Sequence, residues 1–251
     1  MNLVDFAETL LLSTVMGLSI YLSLPIVLHK NTDERRTKIL TSVAIGILIF
    51  LMGDVFSNAA AFLYNGSLYG FGSSPSNDVV FMFALAAGFL VLFLAESRSK
   101  TGLNQTELAL VIAIGMGFQN LTEGLVFGSL GVAFGLSGAT LVVLVGLILQ
   151  NISDGFPIAS PFLGKTEGKT GLIALLFFVG GIPTVIGGSI GYYYNSAVFD
   201  LAFDGVAIGA ILYAILPMLK ALFRESSPGL QRLTYLGVFL GFLIGFLVNL
   251  V

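Results

Sequence analysis

The amino-acid sequence predicts an all-α integral membrane protein of eight transmembrane helices, and three observations carry that expectation. Of its 251 residues, 56% are hydrophobic and only 10% charged. The mean hydropathy is +0.98, well away from an ordinary soluble domain. The apolar residues fall into eight runs, near 6–28, 39–63, 79–96, 107–130, 138–160, 172–194, 201–222 and 232–250, and about 20 such residues cross roughly 30 Å of hydrocarbon. Finally, all 11 Lys and Arg residues lie in or beside alternate connections between the runs.

Taken in order, the runs justify the division. Met1 to Glu8 is acidic and has no basic stretch, so span one is expected to be retained rather than cleaved as a signal peptide. The first connection carries Lys30, Arg35, Arg36 and Lys38, the third Arg98 and Lys100, the fifth Lys165 and Lys169, and Lys220, Arg224 and Arg232 flank the seventh. Connections two, four and six and both ends of the chain carry none. Because basic residues collect on the cytoplasmic side, both termini are expected outside, in a plasma membrane crossed eight times. Asp5, Asp78 and Asp200 then fall on outer segments, either as a weak negative field or as solvated loop ends. The runs are helices because lipid offers no partner for an open strand edge, and the two-residue alternation of a membrane barrel is absent. Gly187-x-x-x-Gly191 in span six and Gly237-x-x-x-Gly241-x-x-x-Gly245 in span eight read as packing seams. The whole chain, 1–251, is expected to form a single transmembrane domain. The absence of Cys removes disulfides and thiolate ligands, and a net charge of -3 gives no basic field for nucleic acid.

Against this apolar background four acids stand out: Asp54, Glu123, Asp154 and Asp204. Unpaired near mid-span, they would together cost roughly 10–14 kcal/mol on insertion scales. No span supplies a central Lys, Arg or His, and the single His29 sits beside Lys30 at a span end. The acids therefore either bind positive ions or stay protonated and bond across helices.

Two of them belong to an internal repeat. Span four carries Gln119-Asn120-Leu121-Thr122-Glu123-Gly124 and span five Gln150-Asn151-Ile152-Ser153-Asp154-Gly155. Gln and acid stand at i, i+4 and Asn and acid at i, i+3, so each motif presents its side chains on one helix face. The motifs are equidistant from the Gly131–Gly138 turn. Antiparallel helices folded there place them at one depth, facing each other, as midplane transporter sites require. Two carboxylates and four amide carbonyls are hard oxygen donors with about two negative charges, matched to one divalent cation. Thr122 and Ser153 can bond back to the previous turn. Asp54 and Asn58 are i, i+4 in span two, with Asp54 about 24 Å above Lys38 by helix rise; a relay and an Asp–Asn interhelical bond are both open. Asp204 lies one turn into span seven, close enough to the boundary to snorkel, and Glu8 and Glu96 read as boundary residues.

At these residues the chain resembles the ZIP (Zrt/Irt-like) family of divalent metal transporters. That family has eight spans with both ends outside and a metal site on spans four and five, built from His-Asn-x-Pro-Glu-Gly and a related His/Gln-acid-x-Pro-Glu-Gly motif. The likeness extends to Ala159-Ser160-Pro161, the Gly/Pro-rich sixth span and Gly209-Ala210-Ile211-Leu212-Tyr213, and covers essentially the whole chain. Gln119 stands where the family has His, Asn151 where it has an acid, Asp154 where it has Glu, and Thr122 and Ser153 where it has Pro. Ile182 precedes Pro183 where many members have an acid, and Ser97 to Thr106 lacks the His-rich tract of many members. Carried over by residue, the resemblance implies a primary metal site of Gln119, Glu123, Gln150 and Asp154, with Asn120 and Asn151 left from a second. The departures from the family's motifs weigh against a two-metal centre and against zinc as the preferred ion.

The expected function is ZIP-like transport of a divalent cation (zinc, manganese, iron or similar) into the cytoplasm, with Asp54, Asn58 and Asp204 as candidate pathway residues. The metal is substrate, and no cofactor is expected. The alternative is a ZIP-derived protein that has lost transport and serves as a sensor or assembly partner. No enzyme is expected, since no nucleophile and base pair is readable. The expected partners are the cation, the lipid bilayer and, as an open alternative, a second copy of the chain.

Overall fold

A computed structural model describes residues 5–28, 34–64, 75–97, 103–135, 137–164, 167–194, 196–223 and 228–250. Among these residues there is no strand, and eight helices are long and apolar enough to cross a membrane. They are span one Phe6–Val27, then span two Glu34–Leu63, span three Pro75–Ser97, span four Gln105–Phe134, span five Gly138–Ala159, span six Thr170–Tyr193, span seven Ala197–Phe223 and span eight Pro228–Val248. His29, Lys30, Arg98, Lys100, Lys165 and Arg224 lie outside the described residues.

Several helices outrun the predicted spans, beginning at Glu34 rather than 39, Pro75 rather than 79, Ala197 rather than 201 and Pro228 rather than 232. Hydropathy reads the lipid-embedded stretch, whereas a helix continues until its end groups are capped. Span four begins where the Asn104 side chain accepts from the backbone N–H of Thr106 (2.9 Å) and Glu107 (3.0 Å), while Glu107 accepts from the Asn104 N–H (2.8 Å). It runs past residue 130 to Phe134 and stops at Gly135, whose φ of 61° lies in the left-handed region. Glu8 completes a similar capping box with Asp5.

Span one is not one uninterrupted α-helix. It tightens to 3-10 geometry over Ser19–Ser23 before Pro25, because proline withholds a ladder N–H and crowds the preceding turn. The Ser19 and Ser23 hydroxyls bond back to Met16 (2.6 Å) and Ile20 (2.7 Å), and Ser19 also reaches the Ile148 carbonyl of span five at 3.1 Å. The break is thus tied to the helix that carries the second motif.

Spans one, four, five and six pack as one group and spans two, three, seven and eight as another, with spans four and seven joining the two. The principal contacts are one with five and six, four with six, two with seven and eight, and three with seven. Exchanging one with six, two with seven, three with eight and four with five maps these contacts onto one another, which is an inverted pseudo-two-fold. Both glycine seams are real close approaches. A Cβ on Gly187 or Gly191 would run into the Leu121 or Leu125 carbonyl of span four, and one on Gly241 into the Val43 carbonyl of span two. With no hydrophobic gain between helices in lipid, such backbone proximity supplies the packing.

At one end of the bundle a cavity of about 580 Å³ is lined by Lys38, Asn104, Gly164 and Leu222. There Lys169 also donates to Gln105 at 3.2 Å. The ends of spans two, four, five and seven that adjoin the basic connections therefore gather on one face.

Candidate functional site

The repeat motifs meet where spans four and five cross. Within span four the Gln119 Nε2 donates to Glu123 Oε1 at 3.1 Å, as i, i+4 spacing allows, and from span five the Gln150 Nε2 donates to the same oxygen at 2.6 Å. The two motifs face each other, as their spacing from the turn requires. Glycine after each acid lets a third helix approach. A Cβ on Gly124 would strike the backbone of Thr184 in span six, and one on Gly155 the Ser23 side chain in the 3-10 break of span one.

The asparagines behave differently from the glutamines. Asn120 Nδ2 donates to the Gly180 carbonyl of span six at 2.9 Å, and Asn151 Nδ2 to its own Leu147 carbonyl at 3.0 Å. Gly180 lies in the turn before Pro183, where the proline interrupts the helical ladder. A backbone carbonyl only accepts, so each amide must turn its nitrogen toward it and its oxygen away.

Each of the four amide nitrogens donates one of these hydrogen bonds, and it is oxygens that are left without a partner. Gln119 Oε1, Asn120 Oδ1, Glu123 Oε2, Asn151 Oδ1 and both Asp154 oxygens are buried with no hydrogen-bond partner among the described residues. Asp154 is fully buried, and Gln119 is 2% exposed. Each buried acceptor left without a donor costs on the order of 1–3 kcal/mol, more if charged. A cation is the species that satisfies many of them at once. The donor set is carboxylate and amide oxygen, which suits hard or borderline divalent ions. Among the described residues no three His, Cys, Asp or Glu side chains group closely enough to hold a metal by themselves, so the amide oxygens are integral to such a site.

Thr122 and Ser153 bond to the carbonyls of Phe118 (3.2 Å) and Gln150 (2.7 Å), the local back-bonding their positions permit.

Outside the repeat, the structure corrects two readings. Asp204 does not snorkel: it is 2% exposed, its Oδ2 lacks a partner, and it lies against the Thr122 side chain. Asp200 is not a solvated loop end, being 4% exposed with Oδ1 unpartnered. The cause is the early start of span seven at Ala197, which puts both acids on helix already packed against its neighbours. Their i, i+4 spacing, the same as Gln119 and Glu123, was the signal available in the sequence. Glu96 does lie at the end of span three, where it accepts a hydrogen bond from the buried Tyr213 hydroxyl of span seven.

Asp54 accepts from Asn249 Nδ2 of the last helix's end at 2.7 Å. That is the Asp–Asn interhelical bond, and Asn249 was not singled out from sequence. Asn58, one turn further, instead lines a cavity of about 350 Å³ shared by Gln119, Thr122, Glu123, Asp200 and Asp204. The two residues of the pair thus look in different directions. Asp54, Asp204, Glu123 and Asp154 are close enough to interact electrostatically, so four acids share this part of the bundle. No protein-family model matches the chain, and no curated protein matches it either.

Proposed function

We propose that this multi-pass membrane protein moves a divalent metal cation across the bilayer, in the manner of the ZIP transporters it resembles, with Glu123 and Asp154 as the charged ligands. The observation that carries the reading is the set of six buried, donorless oxygens on the two facing motifs. A cation reaching the cavity beside Asn58 and Thr122 would exchange water for the oxygens of Gln119, Glu123 and Asp154, aided by Asn120 and Asn151, and no chemical transformation is needed.

Toward the basic face the route is closed by the buried side chains of Ile45, Leu48, Ile112, Met116 and Ile211. Beyond that layer lies the cavity beside Lys38. Passage then requires the helix group of spans one, four, five and six to shift against the other, opening the apolar layer while the polar mouth closes. With the basic face cytoplasmic, the polar mouth is the outer one, and the movement proposed is inward.

A second reading, a ZIP-derived protein that senses or assembles without transport, draws on one observation: Glu123 Oε1 already accepts two amide donors. Proteoliposome uptake of Mn²⁺, Fe²⁺, Co²⁺, Zn²⁺, Cd²⁺, Mg²⁺ and Ca²⁺ decides between them. Saturable uptake of at least one ion, lost in Glu123→Gln, supports transport; uptake of none supports the second reading.

A further inference from the structure

The 350 Å³ cavity has a second acidic wall that the central site does not use. Asp200 and Asp204 stand at i, i+4, so their carboxylates share one face of span seven about 6 Å apart along its axis. Each is more than nine-tenths buried, each keeps one oxygen without a hydrogen-bond partner among the described residues, and both line the cavity. No Lys, Arg or His among the described residues lines that cavity. Asp200 sits in the first turn, where the helix terminus offers partial positive charge, but Asp204 is a turn too deep to benefit. From the opposite wall Gln119, whose Oε1 is unpartnered, and Thr122 line the same space.

We propose that Asp200 and Asp204, with Thr122 and Asn58 across the cavity, form a separate subsite that captures a hydrated divalent cation before it passes to Glu123 and Asp154. The subsite rests on the transport reading for its role, though not for its existence. Its donors are carboxylate, hydroxyl and amide oxygens, with no imidazole or thiolate, so it suits a hard ion. At about 30 Å³ per water, the cavity has room for about ten waters, enough for an ion that keeps its shell and is held through water by the two acids. Dehydration is then left to the donorless central oxygens of Glu123, which borders the cavity, and Asp154, which is not among its lining residues. Spans four and seven belong to the two helix groups, so the two acids of the subsite and the central pair sit on opposite sides of the moving boundary, with Thr122 on the same side as the central pair.

The test is Mn²⁺ binding, read by loss of the free-ion paramagnetic resonance signal, in the purified full chain and three variants: Glu123→Gln/Asp154→Asn, Asp200→Asn/Asp204→Asn, and all four together. The central variant is expected to retain a weaker Mn²⁺ site that the fourfold variant lacks. The Asp200/Asp204 variant is expected to keep the tight site but to take up Mn²⁺ about tenfold more slowly at subsaturating ion, with the saturated rate unchanged. Identical binding by the central and fourfold variants overturns the subsite and leaves the transport reading standing. Wild-type affinity in the central variant with loss in the Asp200/Asp204 variant overturns the central assignment and keeps the subsite, while binding in none overturns both. Should the double variant not fold, carbodiimide labelling of Asp200 and Asp204 in the wild-type chain decides the matter. Protection by Mn²⁺ supports the subsite, and unchanged labelling overturns it.

Discussion

Replacing Glu123 with Gln separates a cation site from a structural acid. Glu123 Oε1 accepts from Gln119 and Gln150, and a Gln side chain keeps a carbonyl there. Its new NH₂ takes the place of the partnerless Oε2, among buried acceptor oxygens that need a donor. Removing a membrane-buried charge relieves about 2.5–3.5 kcal/mol on insertion scales, and one satisfied acceptor adds about 1 kcal/mol. The metal-free variant should therefore be more stable than wild type, by about 7–18 °C in melting temperature at about 2–4 °C per kcal/mol for a chain of this size. Ion binding should move the opposite way. A unit charge 4 Å from another is worth about 4 kcal/mol at an effective dielectric of 20, and a divalent ion doubles this before dehydration is subtracted. Breaking one partner of a buried ionic set costs about 3–5 kcal/mol, so the Kd for Mn²⁺ should rise more than about 100-fold. The assay is a thermal melt in detergent with and without Mn²⁺, together with a binding isotherm. Lower metal-free stability, or a Kd within threefold of wild type, would show that Glu123 is a protonated acid held by its neighbours and refute the reasoning.

Gln119→His should raise affinity for Zn²⁺ relative to Mn²⁺, because an imidazole nitrogen favours the borderline-soft ion. That gain should fade as pH falls through about 6.5, where the imidazole takes a proton; competition binding between pH 5.5 and 8 measures both. Gly187→Ala should cost about 1–3 kcal/mol through overpacking, since its Cβ meets the Leu121 carbonyl, whereas Gly171→Ala, helical and with open space around it, should not lower the melting temperature. Single cysteines at Glu167 and Ser196, which flank span six, should react with an impermeant maleimide from opposite sides of a sealed vesicle. Labelling from one side would break the eight-span topology.

The span count and the facing motifs were legible because both rest on contrast. Long apolar runs leave few folds open in lipid, and Gln119 to Glu123 and Gln150 to Asp154 are polar patches inside such runs, equidistant from one turn. The glycine seams were legible for the same reason, since their period survives on the helix surface. Span ends were less so, because Glu34 and Pro228 extend helices beyond the lipid-like stretch. Asp200 and Asp204 were misread through that error. A boundary misplaced by four residues put Asp200 outside the span and Asp204 within reach of its edge. The Asp54 bond to Asn249 and the Tyr213 bond to Glu96 join residues 195 and 117 positions apart. Such pairings are set by which helices become neighbours, which spacing within one helix does not encode.

Anomalous scattering from crystals of the chain grown with Mn²⁺ tests the central claim most directly. The expected result is a peak between spans four and five, within about 2.0–2.6 Å of oxygens from Glu123 and Asp154, completed by amide oxygens of Gln119, Asn120 or Asn151. Density for the motifs with no peak there, while Mn²⁺ occupies some other part of the bundle, would contradict it.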